Sequence, residues 1–74
     1  MNIIDEIDNK IHEFGTKHGG KYPKWIFLNP EHFNKIRAVK DYYRFVTFVN
    51  GKLYPTAIMG MHYIIKNITE IEVQ

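Results

Sequence analysis

Four histidines, His12, His18, His32 and His62, are the side chains best suited to bind a metal or move a proton. A zinc-protease helix needs two histidines four apart with a glutamate between them. No pair here has that arrangement, and His12 and His18, six apart, leave one another's helix face. The chain has neither Cys nor Ser, which removes disulfides, thiolate zinc sites and two of the three common hydroxyl or thiol nucleophiles. Thr16, Thr47, Thr56 and Thr69 occur in turn or strand contexts without a nucleophile motif. Carboxylates do acid–base work as a pair only when they share a cleft. Asp5, Glu6, Asp8 and Glu13 instead fall on the solvent side of an N-terminal helical pattern. Gly19-Gly20 has no preceding strand and no Lys-Ser/Thr after it, so it is not a phosphate loop. The expectation is a protein that is not an enzyme and uses neither a metal nor a cofactor.

Binding chemistry is better represented. Lys21, Tyr22, Lys24 and Trp25 interleave cations with aromatics, as do Lys40, Tyr42, Tyr43 and Arg44. Such residues stack on bases while contacting phosphates. The net charge of +2 is nevertheless small beside that of dedicated nucleic-acid binders. It is also unevenly spread. Residues 1–16 carry Asp5, Glu6, Asp8 and Glu13 against Lys10. Residues 17–44 carry Lys17, Lys21, Lys24, Lys35, Arg37, Lys40 and Arg44 against Glu31 and Asp41. Five tyrosines, one tryptophan and three methionines suit an adaptable protein interface.

These residues are positioned by a short series of elements. Ile3, Ile4, Ile7, Ile11 and Phe14 form one stripe of a helix over residues 3–17, capped by Asn2 and stopped by Gly19-Gly20. Residues 24–28 predict a strand without clean alternation, hence buried on both faces in mid-sheet. In Asn29-Pro30-Glu31 a capping residue, a first-turn proline and an acid open a second helix over residues 30–40, with Phe33, Ile36 and either Val39 or the stem of Lys40 inward. A strand over 43–49 then meets Asn50-Gly51, the strongest two-residue hairpin signal. That turn pairs Val49 with Lys52, Phe48 with Leu53 and Thr47 with Tyr54. It sends Val46, Phe48 and Leu53 to the core, and Thr47, Val49, Lys52 and Tyr54 outward. Pro55 ends this ladder or places its strand at an edge, Gly60 marks a bulge or a close backbone approach, and strands over 62–67 and 71–73 complete the chain.

The order predicts one α+β domain over residues 1–74. It has a helix-strand-helix unit, then a mainly antiparallel sheet of three to four strands with an Asn-Gly hairpin, and helices on one face. With 74 residues and no staple, stability rests on packed apolar side chains. The first residues lack the basic and apolar regions of a signal peptide, and no run is long enough to span a membrane. The expected location is cytoplasmic, without membrane contact.

The stretches Trp25-Ile-Phe-Leu-Asn-Pro-Glu-His-Phe-Asn-Lys-Ile36 and Gly51-Lys-Leu-Tyr-Pro-Thr-Ala-Ile-Met-Gly60 set a pattern. An apolar strand runs into Asn-Pro and a helix with Phe/Ile anchors, followed by a hairpin and an apolar-Gly step. Over about residues 22–73 this resembles short proteins of tailed phages and, more weakly, a segment of the tailed-phage major capsid protein. The capsid protein's long spine helix and extended loop have no counterpart here. The resemblance implies a phage or prophage origin and an accessory or host-takeover role, such as inhibition of a bacterial-defence protein in the manner of an anti-CRISPR. The resulting expectation is stoichiometric binding to a host or defence protein. Its contacts are Lys21, Tyr22, Lys24, Tyr43 and Arg44 in the basic-aromatic segment, and Thr47, Lys52 and Tyr54 on the outer hairpin face. The alternative is nucleic-acid binding through Lys21, Lys24, Lys35, Arg37, Lys40 and Arg44. A second alternative is a self-associating virion structural or assembly component.

Overall fold

The computed structural model describes residues 2–51 and 53–74. Helix α1 runs over Ile3–Lys17, where the apolar stripe places it. The Asn2 side chain accepts from the Asp5 N–H at 3.0 Å and closes its first turn. At the far end Gly19, at φ 66°, turns the chain so that the Gly20 N–H donates to the Gly15 carbonyl at 2.7 Å. That bond satisfies a carbonyl the helix would otherwise leave open.

Strand β1, Trp25–Leu28, is central as expected, lying between His62–Ile65 (β4) and Glu72–Val73 (β5) in a three-stranded sheet of order β4-β1-β5. β4, His62–Ile65, lies parallel to β1 with Trp25 opposite His62 and Phe27 opposite Ile64. β5, Glu72–Val73, lies antiparallel on the other side, with Phe27 opposite Glu72. The sheet is therefore mixed, where a mainly antiparallel one was expected. Nor is β1 buried on both faces. Ile26 and Leu28 are fully buried, while Trp25 is 41% exposed and Phe27 is half-buried. Alternating residues of a strand face opposite sides, so one face of this sheet is core and the other is open.

Helix α2 spans Pro30–Arg37, ending three residues short of the expected boundary. The Asn29 Oδ1 accepts from the His32 N–H at 2.7 Å, and the His32 Nδ1 accepts from the Asn29 N–H at 3.1 Å. This reciprocal cap uses histidine where glutamate or glutamine is usual. Asn29 Nδ2 also donates to the Ile68 carbonyl at 2.9 Å, tying the strand-to-helix corner to the approach to β5.

The segment after α2 departs most from expectation. Asp41 adopts φ 60°, and Tyr42–Arg44 continue as a 3₁₀ turn. Only Val46–Thr47 (β2) remains extended of the strand expected over 43–49. It pairs antiparallel with Ala57–Ile58 (β3), Val46 opposite Ile58 and Thr47 opposite Ala57. Thr47 therefore does not face Tyr54, and the Asn50-Gly51 hairpin register is not formed. Gly51 has positive φ but Asn50 does not, whereas a type I′ turn needs both. The physical reason is core burial. The observed register buries Ile58 completely and half-buries Val46, and it keeps Pro55, which has no N–H to donate, out of the ladder. Phe48 is consequently 41% exposed and Leu53 90% exposed, not core, and Lys52 lies outside the described residues.

Asn50-Gly51 is still a turn, but the ladder expected across it is not formed, and a second tight turn occurs at Met59-Gly60, with φ 48° and 80°. Ile58 and Met61 exchange both backbone hydrogen bonds across it, at 2.9 and 2.8 Å. Gly60 thus sits in a turn and not a bulge. Ile3, Ile4, Ile7, Ile26, Leu28, Ile36, Ile58, Met61 and Ile71 meet in one core beneath the inner sheet face. Each fully buried aliphatic side chain stabilises the fold by about 1.5–3 kcal/mol.

Candidate functional site

The open face of the three-stranded sheet is built by strand alternation. His62 and Ile64 of β4, Trp25 and Phe27 of β1, and Glu72 of β5 share that side, because each β1 residue has its registered neighbour on the same face. Both helices contribute to the core cluster on the other side, α1 through Ile3, Ile4 and Ile7 and α2 through Ile36. The Trp25 and His62 rings lie 5.1 Å apart, tilted by 42°. The Lys66 ammonium sits 4.7 Å above the Phe27 ring, a contact favoured by the ring quadrupole. Trp25 and Ile64 remain 41% exposed each. The face thus has an apolar, aromatic centre with one lysine and one glutamate at its margin.

The expected contact residues fall elsewhere and do not form one surface. Tyr22, Arg44 and Thr47 come together with Phe45, Val46, Met59 and Gly60 around a shallow groove of about 380 Å³. The Tyr22 hydroxyl donates to the Met59 carbonyl at 2.6 Å. Loss of solvent around the phenol, with the Asp8 carboxylate nearby as a smaller contribution, raises its pKa. Tyr43 is exposed and its hydroxyl donates to Asp41 at 3.3 Å. Lys21 and Lys24 are exposed at the entry to β1. Tyr54 sits apart, against α2. Its ring is 6.4 Å from that of Phe33, with the Arg37 guanidinium 5.3 Å from its centroid. The outer hairpin face proposed from Thr47, Lys52 and Tyr54 is not formed, because Thr47 pairs with Ala57 and Tyr54 is in a loop.

The basic residues of the middle segment are likewise divided. Lys35 forms an exposed ion pair with Glu31 at 3.5 Å. Lys35 and Lys40 line a groove of about 870 Å³ whose opposite wall carries Asp5 and Glu6 of α1. Acidic and basic halves that are separate in sequence are therefore adjacent in space. Among the described residues no group of three or more His, Asp or Glu is placed to hold a metal ion. No helix among them is long and apolar enough to cross a membrane.

Sequence reasoning missed the open face because the strand over residues 24–28 read as buried on both faces. The available signal was the i, i+2 spacing of Trp25 and Phe27 around Ile26, which places both on one side of a strand. No protein-family model, curated protein or solved structure matches the chain.

Proposed function

We propose that the protein acts without catalysis, by stoichiometric binding of another protein on the open face of its three-stranded sheet. The observation that carries this reading is the uncovered Trp25-Phe27-His62-Ile64 surface. Interface centres are enriched in aromatics and poor in charge, with polar groups at the rim. This face has that composition, with Lys66 and Glu72 at the rim. It suits a partner presenting an apolar patch edged by charges of both signs. The resemblance to short tailed-phage proteins points to a host or bacterial-defence protein as that partner, held inactive in the cytoplasm of the cell.

A second reading is favoured by the same aromatics. Trp25 and Phe27 are spaced to stack successive bases, and Lys66 is at hand for a phosphate. Glu72 opposite Phe27 opposes it by repelling phosphate.

One experiment separates the two. Tagged protein and its Trp25→Asp variant are used to capture partners from bacterial lysate, with and without nuclease. The protein-binding reading expects a one-to-one protein partner that survives nuclease and is lost in the variant while circular dichroism stays unchanged. Partners that vanish with nuclease, and binding that weakens steeply with salt, would replace it with the nucleic-acid reading. A partner retained in full by the folded variant would remove the face from either role.

A further inference from the structure

β4 is an outer strand of its sheet, and its register fixes where its backbone groups point. The His62 N–H donates to the Lys24 carbonyl at 2.9 Å and the Lys66 N–H to the Leu28 carbonyl at 2.7 Å. In a parallel pair alternate residues bond to the neighbour, so His62, Ile64 and Lys66 face β1, while Tyr63 and Ile65 point their N–H and C=O groups away from it. Met61 points away too, but Ile58 takes both of its groups across the Met59-Gly60 turn. Past that bridge, among the described residues no strand pairs with the side of Tyr63–Ile65 that faces away from β1.

Natural edges are guarded by lysine, proline or a bulge. The His-Tyr-Ile-Ile sequence of β4 has none of these. Instead Ile64 and Ile65, on opposite faces of the sheet, are each 41% exposed. A strand laid alongside would cover both.

We propose that this edge joins two copies of the chain, with their β4 strands antiparallel about a two-fold axis at Ile64. In an antiparallel ladder, pairs that exchange two hydrogen bonds alternate with closely opposed pairs that exchange none. Among the described residues of β4, Tyr63 and Ile65 are the ones whose groups neither β1 nor the turn takes up, and one residue separates them. Centring the axis at Ile64 sets Tyr63 of each copy opposite Ile65 of the other. Every free group then finds a partner, in four hydrogen bonds. The two Ile64 side chains meet as a close pair on the open face, and each Tyr63 covers the other copy's Ile65 on the inner face. The same patch serves both copies, as a two-fold interface requires. No side chain of Tyr63–Ile65 is charged, and the same register sets Lys66 of each copy opposite His62 of the other. The two sheets become one, and two Trp25-Phe27 surfaces lie side by side on it. The inference does not rest on what binds that surface, though Ile64 belongs to both. So short a ladder makes a concentration-dependent dimer and not a permanent one.

The absence of cysteine makes single-cysteine variants clean reporters. Ile64→Cys in the full chain is expected to form a disulfide-linked dimer, twice the 8.8 kDa chain mass, at least about tenfold faster than Leu53→Cys, which reports random collision. Trp25→Ala added to Ile64→Cys leaves that rate unchanged, because Trp25 lies outside the ladder that joins the copies. Equal rates for the two cysteines, in chains whose circular dichroism matches the parent, would overturn the proposal. Sedimentation equilibrium provides an arm without cysteine. The parent chain rises toward dimer mass from micromolar to millimolar concentration and Ile64→Lys stays monomeric. A parent chain that remains monomeric throughout would equally overturn it.

Discussion

Single side chains connect parts of this fold that lie far apart in sequence. Asn29 both caps α2 and holds the Ile68 carbonyl, so Asn29→Ala removes two interactions at one corner. Loss of a cap costs about 1 kcal/mol and the second bond adds about as much again. Urea unfolding should show a loss of about 2 kcal/mol for Asn29→Ala and about half that for His32→Ala, which gives up only its side of the reciprocal cap. Equal losses would mean that the tie to Ile68 contributes nothing. Tyr22 links the entry of β1 to the Met59-Gly60 turn, and its pKa is raised in the fold. A raised pKa means that the folded state favours the protonated phenol. The stability it contributes is fully present below the unfolded value, about pH 10, and is lost as pH rises through the higher folded value. The stability gap between the parent and Tyr22→Phe should therefore narrow above about pH 10, read from urea unfolding between neutral and alkaline pH. A gap that stays constant would show that the phenol contributes nothing through its proton.

At the scale of elements, local signals succeeded where the chain satisfies itself. The α1 stripe, Asn2, Gly19-Gly20 and Asn29-Pro30 act within a few residues of one another, and both helices start where those residues place them. They failed where burial far along the chain decides. Asn50-Gly51 does turn, yet the strand register is set elsewhere: Ile58 and Met61 bond across the Met59-Gly60 turn, and both are buried there. A methionine at φ 48° is unfavourable on its own and is held there by the bonds on either side. Gly60 is the other half of that turn. A Cβ there would meet only the edge of the Tyr22 ring, at 3.9 Å, so the cost of Gly60→Ala comes from the backbone at φ 80° and not from crowding. Gly60→Ala should lower the unfolding free energy by about 1–2 kcal/mol, whereas Gly60→Asn, which tolerates this region, should lose less. If the two variants lose the same amount in thermal unfolding, strain at this turn is not the cause.

For the whole molecule, the α+β class was legible from the order of apolar patterns, but the division of the strands into two sheets was not. Nothing in residues 62–65 announces that they run parallel to β1, since a period-two pattern carries no direction. The candidate site followed the same divide. Tyr22, Arg44 and Thr47 do gather, but around a shallow groove. The surface with interface composition comes from Trp25 and Phe27, whose exposure depends on helices covering only one side of the sheet. The basic segment lost its apparent unity for a similar reason, since Lys35 and Lys40 stand across a groove from Asp5 and Glu6.

The strand order β4-β1-β5 also bears on how the chain folds. Residues 25–28 find both of their neighbours, at 62–65 and 72–73, more than 30 residues further along. Each pairing closes a long loop before it is rewarded, so the sheet forms late beside the helices, and Trp25-Ile-Phe-Leu28 stays unpaired and open to aggregation until both neighbours dock.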